Sequence, residues 1–310
     1  MTDTAQTAGP SGARVTTGVR GWFDRHQTRI APWVFLSPAL ILFALYVIYP
    51  IVQSFWISLH DWDGLGDMTF IGAENYIELF LYDFDFSTAV INNIKWLVLF
   101  MLSPVFGLAI ALFLNQTVWG IRLVKSLFFF PFVISQVVVG LVFTWFYDPA
   151  NGLLNVILEG LGLEGVSPLS SEDYVTFWII AAGLWPQTAY CMILYLTGLN
   201  NVDPEQVEAA RIDGAAGWTM LRKIILPQLW PATFLAIVVT VIGSLRSFDL
   251  ISIMTNGGPW GSSTVLAFKM YEEALFNYRM GYGAAVAVVL FMIMSLFIAW
   301  FLSRLVRQER

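Results

Sequence analysis

Six long apolar runs dominate this chain and decide its solvent before any motif is read. They lie at about 33–59, 94–114, 127–147, 175–199, 232–254 and 282–302. A helix needs roughly 20 mostly apolar residues to cross the hydrocarbon core of a bilayer, and every run is of that order. Composition points the same way: 57% of residues are hydrophobic, 12% are charged, and mean hydropathy is +0.69. A soluble domain carries about 25% charged residues, so a chain this apolar finds its solvent in lipid. The predicted fold is therefore an all-α integral membrane protein with six transmembrane helices. Its single cysteine excludes an internal disulfide. A net charge of −6 offers no general attraction to phosphate backbones, which argues against a nucleic-acid partner. The first run is too long for a signal peptide and no small-residue cleavage site follows it. Pro38 and Pro50 predict a kink within it.

Lys and Arg set the expected orientation. Twelve of the sixteen lie in the N-terminal segment (Arg14, Arg20, Arg25, Arg29), the second-to-third connection (Arg122, Lys125), the fourth-to-fifth connection (Arg211, Arg222, Lys223) and the C-terminus (Arg304, Arg307, Arg310). Both termini are thus expected in the cytoplasm. The other side is acidic, with seven Asp or Glu and no Lys or Arg in the first-to-second connection. Trp33, Tyr49, Trp56, Trp145, Tyr147, Tyr174 and Trp178 sit near span ends, as interfacial anchors do. The expected organisation is a cytoplasmic tail at 1–30, with a basic amphipathic helix near 18–31, a six-span domain at 31–303 and a short cytoplasmic tail at 304–310. The outer connections, 60–93 and 148–173, are long for bare loops and predict short helices. Asn92, Asn93 and Lys95, at the outer start of the second run, read as interfacial.

The fourth-to-fifth connection, 200–227, reads as a helical hairpin. Asp203 suits an N-cap, Pro204 the first helical position, and Gln206 a capping box. Gly214 falls where a left-handed C-cap is needed. A second helix is predicted from about Gly217 to Ile225, ended by Pro227. Ala209 and Ala210 beside Glu208 leave a small surface that a partner's backbone can approach, so the helix is shaped for a groove on another protein.

This hairpin resembles a known family. Glu208-Ala209-Ala210, Gly214, Ile224 and Leu226-Pro227 are similar, at every spaced position, to the loop motif of permease subunits of binding-protein-dependent ABC importers. Phe248-Asp249-Leu250 with Met254-Thr-Asn-Gly-Gly-Pro259, Ser37-Pro38-Ala39, Tyr49-Pro50 and Phe70-Ile-Gly-Ala-Glu-Asn-Tyr76 resemble the maltose/glycerol-3-phosphate branch, and within it the first permease of the pair. The resemblance spans about 30–305; the founding maltose subunit has extra spans and a large outer domain that this chain lacks. It implies a type I importer permease fold in a bacterial inner membrane, moving a sugar by alternating access. It implies that Glu208, Ala209, Ala210, Asp213, Gly214, Ile224, Leu226 and Pro227 form the ATPase-coupling loop. The implied partners are a homologous second permease, a cytosolic ABC ATPase dimer and a periplasmic or lipoprotein binding protein, within membrane lipid. No cofactor is expected on this chain; ATP and Mg belong to the partner ATPase, since no G-x-x-x-x-G-K-[ST] motif occurs here.

Polar residues inside apolar runs are the candidates for solute contact. Thr240, Ser244 and Ser247 share one helical face of the fifth run. Gln187 and Tyr190 lie one turn apart in the fourth. Together with Gly243 and Arg246 they form the candidate substrate-binding set, because hydroxyls, amides and rings suit a sugar; the same polar residues also serve helix packing. Arg246 and Asp249, three apart, predict either a structural ion pair or an anion-binding arginine for a phosphate- or sulfonate-bearing sugar. Cys191 reads as a buried thiol, and His26 and His60 form no metal set with it. No catalytic constellation is visible, so an enzyme is not expected. The alternatives are an ion-coupled secondary transporter, which calls for mid-membrane acids and broken helices, and a membrane enzyme or structural protein, which leaves the hairpin unexplained.

Overall fold

The computed structural model describes residues 32–116 and 118–308, with the side chains of Leu302 and residues 304–308 left aside. The N-terminal tail, its proposed amphipathic helix and the last two residues lie outside the described residues. The chain divides into two units, with the boundary between Gln53 and Ser54, inside the first long helix.

That helix, α1 (Pro32–Ile57), is long and apolar enough to cross a bilayer. In its first unit no residue is buried, and the backbone widens to a π turn at Ala44–Ile48, just before Pro50. A π turn is the expected response where a proline removes an N–H from the helical ladder.

In the second unit, two short antiparallel strands, β1 (His60–Asp61) and β2 (Thr69–Phe70), pair with each other. The connections at 60–93 and 148–173 carry the expected short helices, α2 (Glu74–Leu81) and α7 (Leu153–Gly160). The second span runs from α3 (Phe84–Phe100) through Met101 into α4 (Leu102–Leu114), ten residues earlier than the apolar run begins. Asp83 starts it by accepting the Phe86 N–H at 2.9 Å. The fourth span is α8 (Val175–Leu199) and the sixth is within α14 (Met280–Gln308).

The third and fifth spans are not the continuous helices that hydropathy predicts. In the third, α5 (Ile121–Val133) and α6 (Gln136–Phe146) meet at 98°. Ile134 is extended there, and Ser135 caps α6 by accepting the Val138 N–H. In the fifth, α11 (Trp230–Leu245) ends at Arg246, and a separate α12 (Asp249–Met254) follows. Arg246 and Asp249 therefore do not sit on one continuous turn.

Three apolar clusters hold the second unit together. One joins Trp96 and Phe100 of α3 to Ile179 of α8 and Ile251 of α12. A second packs Leu79, Phe86 and Ala89 on Val286 and Leu290 of α14. The third, next to the hairpin, joins Ala111 and Leu114 to Cys191, Tyr195, Leu199 and Leu229. Most large apolar side chains outside these clusters are exposed, as lipid contact requires.

At the end opposite the hairpin, buried polar groups replace the expected interfacial ones. Asn92 and Asn93 are buried, not at an interface. Asn92 Nδ2 donates to the carbonyls of Ser262 and Thr264 at 2.6 and 2.9 Å, and Asn93 Oδ1 accepts the Leu266 N–H at 2.9 Å. These amides satisfy the backbone of the segment leading into α13 (Leu266–Tyr271), which has no ladder of its own. Tyr147 is likewise buried, its hydroxyl donating to the Trp178 carbonyl. Buried Lys269 pairs with Asp83 at 2.9 Å and Glu273 at 3.4 Å, while Arg279 grips both oxygens of Glu78. Burial alone pushes the Asp83 carboxyl up; the Tyr282 hydroxyl and the Lys269 ammonium outweigh it and hold the group below the usual carboxylate range.

Candidate functional site

The hairpin forms as its local sequence dictates, with two corrections. Helix α9 (Pro204–Ile212) starts on Asp203, whose Oδ1 accepts the Glu205 N–H at 2.9 Å. Gln206 does not complete a capping box. Its Nε2 donates to Asp203 Oδ2 at 3.1 Å, and the Asp203 N–H goes instead to Oε1 of Gln228 at 2.9 Å. Gly214 takes φ +85°, and the Ala215 and Gly214 N–H groups close onto the Ala210 and Arg211 carbonyls, a complete Schellman cap. The return helix α10 (Gly217–Gln228) passes through Ile224, Leu226 and Pro227 and turns by 73° into α11 only after Gln228. Pro227 does not end it, because a π turn at Leu221–Ile225 already leaves the ladder open where proline has no N–H to give.

Glu208, Ala209, Asp213 and Gly214 are exposed on this hairpin, while Ala210 is buried. Glu208 makes no hydrogen bond or ion pair within the described residues. Beside them stand two apolar side chains that sequence reasoning passed over, Ile212 at 87% and Trp218 at 69% exposure. They leave large apolar surface exposed beside the Glu208 carboxylate on this hairpin.

The second site is a cavity of about 250 Å³ framed by α3, α6, α8 and the break between α11 and α12. Its polar wall is Gln136, Gln187, Gly243, Arg246, Ser247 and Asp249; its apolar wall is Trp96, Phe100, Phe248 and Leu250. Both helix breaks supply it. Gln136 is the first residue of α6 after the 98° bend, and Arg246 to Phe248 are the non-helical link of the fifth span. Irregular backbone at membrane depth is tolerated where it lines a cavity.

Of the seven substrate candidates, four line the cavity together: Gln187, Gly243, Arg246 and Ser247. Thr240 and Ser244 are buried elsewhere. Thr240 receives Gln187 Nε2 at 3.0 Å and meets Cys191 Sγ at 3.5 Å, and Ser244 donates to the Val241 carbonyl. Tyr190 stacks on Phe132 at 5.0 Å. The predicted Arg246–Asp249 ion pair is not formed; both side chains are exposed, and no charge pairs with either among the described residues. The helix break between them removes the one-turn spacing on which the pair depended. Gln136 and Trp96 carried no sequence signal, since one sits behind an unrecognised bend and the other looks like any interfacial tryptophan.

Multi-pass helical packing, a cavity at broken spans and an exposed capped hairpin between the fourth and fifth spans are the features of a membrane permease. The sequence matches, over residues 103–310, the family described as binding-protein-dependent transport system inner membrane component, and the chain belongs to that family. It is 37% identical to a probable ABC transporter permease of Pyrococcus horikoshii, covering 83% of this chain and 89% of that one. It is 35% identical to the alpha-glucoside transport system permease of Rhizobium meliloti, covering 92% and 85%. The fold is that of a subunit in the crystal structure of a bacterial ABC transporter that imports the acidic polysaccharide alginate, with TM-score 0.81, 22% identity and coverage of 94% and 100%. The chain is thus a multi-pass inner-membrane permease of an ABC importer. Neither family nor relatives support the ion-coupled alternative. The broken helices it called for occur here in an ABC permease, where they build the cavity.

Proposed function

We propose that this chain is the non-catalytic transmembrane half of an ATP-driven importer for a sugar, oligosaccharide or glycoside, paired with a second, homologous permease. A separate ATPase seats on α9, which places the hairpin and both termini on the cytoplasmic side, in line with the distribution of Lys and Arg. A binding protein delivers solute at the opposite, acidic end. ATP-driven closure of the ATPase moves the hairpins and rocks the spans around the cavity.

One observation carries the saccharide reading: the cavity presents a guanidinium, a carboxylate and two amides, with the two charges unpaired within the described residues. Asp249 only accepts hydrogen bonds and Arg246 only donates them, while the amides do both. A polyhydroxylated solute meets all of them at once, because each hydroxyl donates and accepts. Trp96, Phe100 and Phe248 give the apolar faces of a sugar ring a surface to rest on.

The test is uptake by proteoliposomes carrying the whole importer, with saturating binding protein. Asp249→Asn and Arg246→Gln are each expected to raise half-saturation for a neutral saccharide about tenfold or more, as losing a hydrogen bond to a charged group does. If the solute is instead an anionic sugar derivative, Arg246→Gln weakens uptake but Asp249→Asn strengthens it, because a like charge has been removed. Unchanged uptake in both variants removes the cavity from the solute path.

A further inference from the structure

The neck of the hairpin is closed by a ring of three side chains. The Asp203 N–H donates to Gln228 Oε1 at 2.9 Å, Gln228 Nε2 donates to Gln206 Oε1 at 3.3 Å, and Gln206 Nε2 donates to Asp203 Oδ2 at 3.1 Å. Gln228 Nε2 also reaches the Ile224 carbonyl at 3.2 Å, one turn back in its own helix. The orientation of the Gln228 amide is fixed by this pattern: a backbone N–H needs its oxygen, and a backbone carbonyl needs its nitrogen. Asp203 stands four residues after the end of α8, and Gln228 two residues before the start of α11. The ring therefore joins the two chain ends through which the hairpin meets the bundle.

Below the ring the packing is tight. Leu229, the residue at the 73° bend, is fully buried. A Cβ at Gly198 would lie 2.7 Å from Ala232 Cβ and 3.0 Å from Leu229 Cδ2, so the last turn of α8 and the first turn of α11 touch where they leave the hairpin. The hairpin is thus an excursion of two helices held at its neck, where Val202 and Ile225 also pack on the third apolar cluster. With the neck closed, displacement of α9 carries the bases of the fourth and fifth spans with it. With the neck open, α9 swivels about residues 200–203 and the motion is lost in the loop.

We propose that Gln228 is a positioning residue for coupling, a latch that makes the hairpin and the bases of the fourth and fifth spans move as one body. The inference rests on the reading that an ATPase drives transport through α9. It adds a residue outside that docking surface, half-buried and turned toward the chain's own backbone.

The experiment uses the complete importer in lipid nanodiscs and proteoliposomes. Solute moved per ATP hydrolysed is measured for wild type, Gln228→Met, Gln228→Glu and Glu208→Lys, with amide hydrogen exchange at Asp203. Gln228→Met keeps the length and removes both polar ends. It is expected to lower solute moved per ATP about tenfold or more, the scale of losing the three hydrogen bonds the Gln228 amide makes, and to speed Asp203 exchange. Gln228→Glu retains an oxygen for the Asp203 N–H but sets its second carboxylate oxygen against the Ile224 carbonyl and Gln206 Oε1, so it is expected to slow Asp203 exchange relative to Gln228→Met and to recover only part of the transport-to-ATP ratio. A cap serving only stability would change complex yield and leave the transport-to-ATP ratio alone. A wild-type ratio in Gln228→Met, with Glu208→Lys uncoupled, overturns the latch and leaves α9 coupling standing. Normal transport in Glu208→Lys overturns the coupling reading itself. Should Gln228→Met fail to assemble, the wild-type importer decides: Asp203 is expected to stay protected both without nucleotide and with ATP trapped, and rapid exchange in either state overturns the proposal.

Discussion

A Glu208→Lys importer is expected to assemble in the membrane, bind its ATPase weakly and move no measurable solute. Glu208 is exposed on α9 and unpaired within the described residues, so the substitution disturbs nothing inside the chain. Its cost falls at the partner surface, where juxtaposing like charges costs several kcal/mol, enough to lower uptake by about a hundredfold or more. Gly214→Pro reaches the same end by another route. Gly214 sits at φ +85° and donates its N–H to the Arg211 carbonyl; proline holds φ near −65° and has no N–H. The turn then cannot form, and α9 and α10 lose their relative angle. Uptake and ATPase activity in proteoliposomes, beside complex yield, check both. Normal uptake by the two variants would remove the hairpin from the coupling path.

Gly107→Val should have a large effect on folding. Helices α4 and α8 pack against one another, and Gly107 lies at a close approach of their backbones. A Cβ there would be 2.6 Å from Cys191 Cβ and 2.8 Å from the Met192 nitrogen. The nitrogen is main chain and the Cβ is fixed by the main chain that carries it, so neither can swing aside. Small residues serve in membrane helices to permit this approach. Overpacking typically costs about 1–3 kcal/mol, and valine adds two methyls beyond the Cβ, so Gly107→Val is expected at or above that range. Thermal unfolding in detergent should fall by several degrees for Gly107→Ala, and Gly107→Val should give little monodisperse protein. Gly160→Ala, at a position with nothing within 4 Å, is the matched control and should behave as wild type. Equal stability of Gly107→Ala and Gly160→Ala would show that α4 and α8 pack differently.

The features legible in the sequence are those set by residues a few positions apart. Span number follows from run length, because each backbone group in lipid must bond within its own helix. The hairpin follows from Asp203, Pro204 and Gly214, each acting on neighbours within one turn. Hydropathy averaged over a window is blind to what lies within it. It reads 127–147 and 232–254 as uniform spans, although Ser135 starts a new helix in one and Arg246 ends a helix in the other. It also cannot tell which small and polar residues of the fifth span meet a void: Thr240 and Ser244 are buried, while Gly243 on α11 and Ser247 in the link that follows it line the cavity.

By itself the sequence determined an all-helical membrane chain, its spans and the exposed hairpin with its motif, since apolar run length and local capping act along the chain. Only the tertiary structure decided that Gln136 from one broken span meets Arg246 from another, that Arg246 and Asp249 stand apart instead of pairing, and that Gln228 takes the capping role expected of Gln206. These depend on where helices cross. A hydrogen bond between residues 25 positions apart leaves no periodic trace in sequence, because its two ends are brought together only by the packing of the spans that carry them.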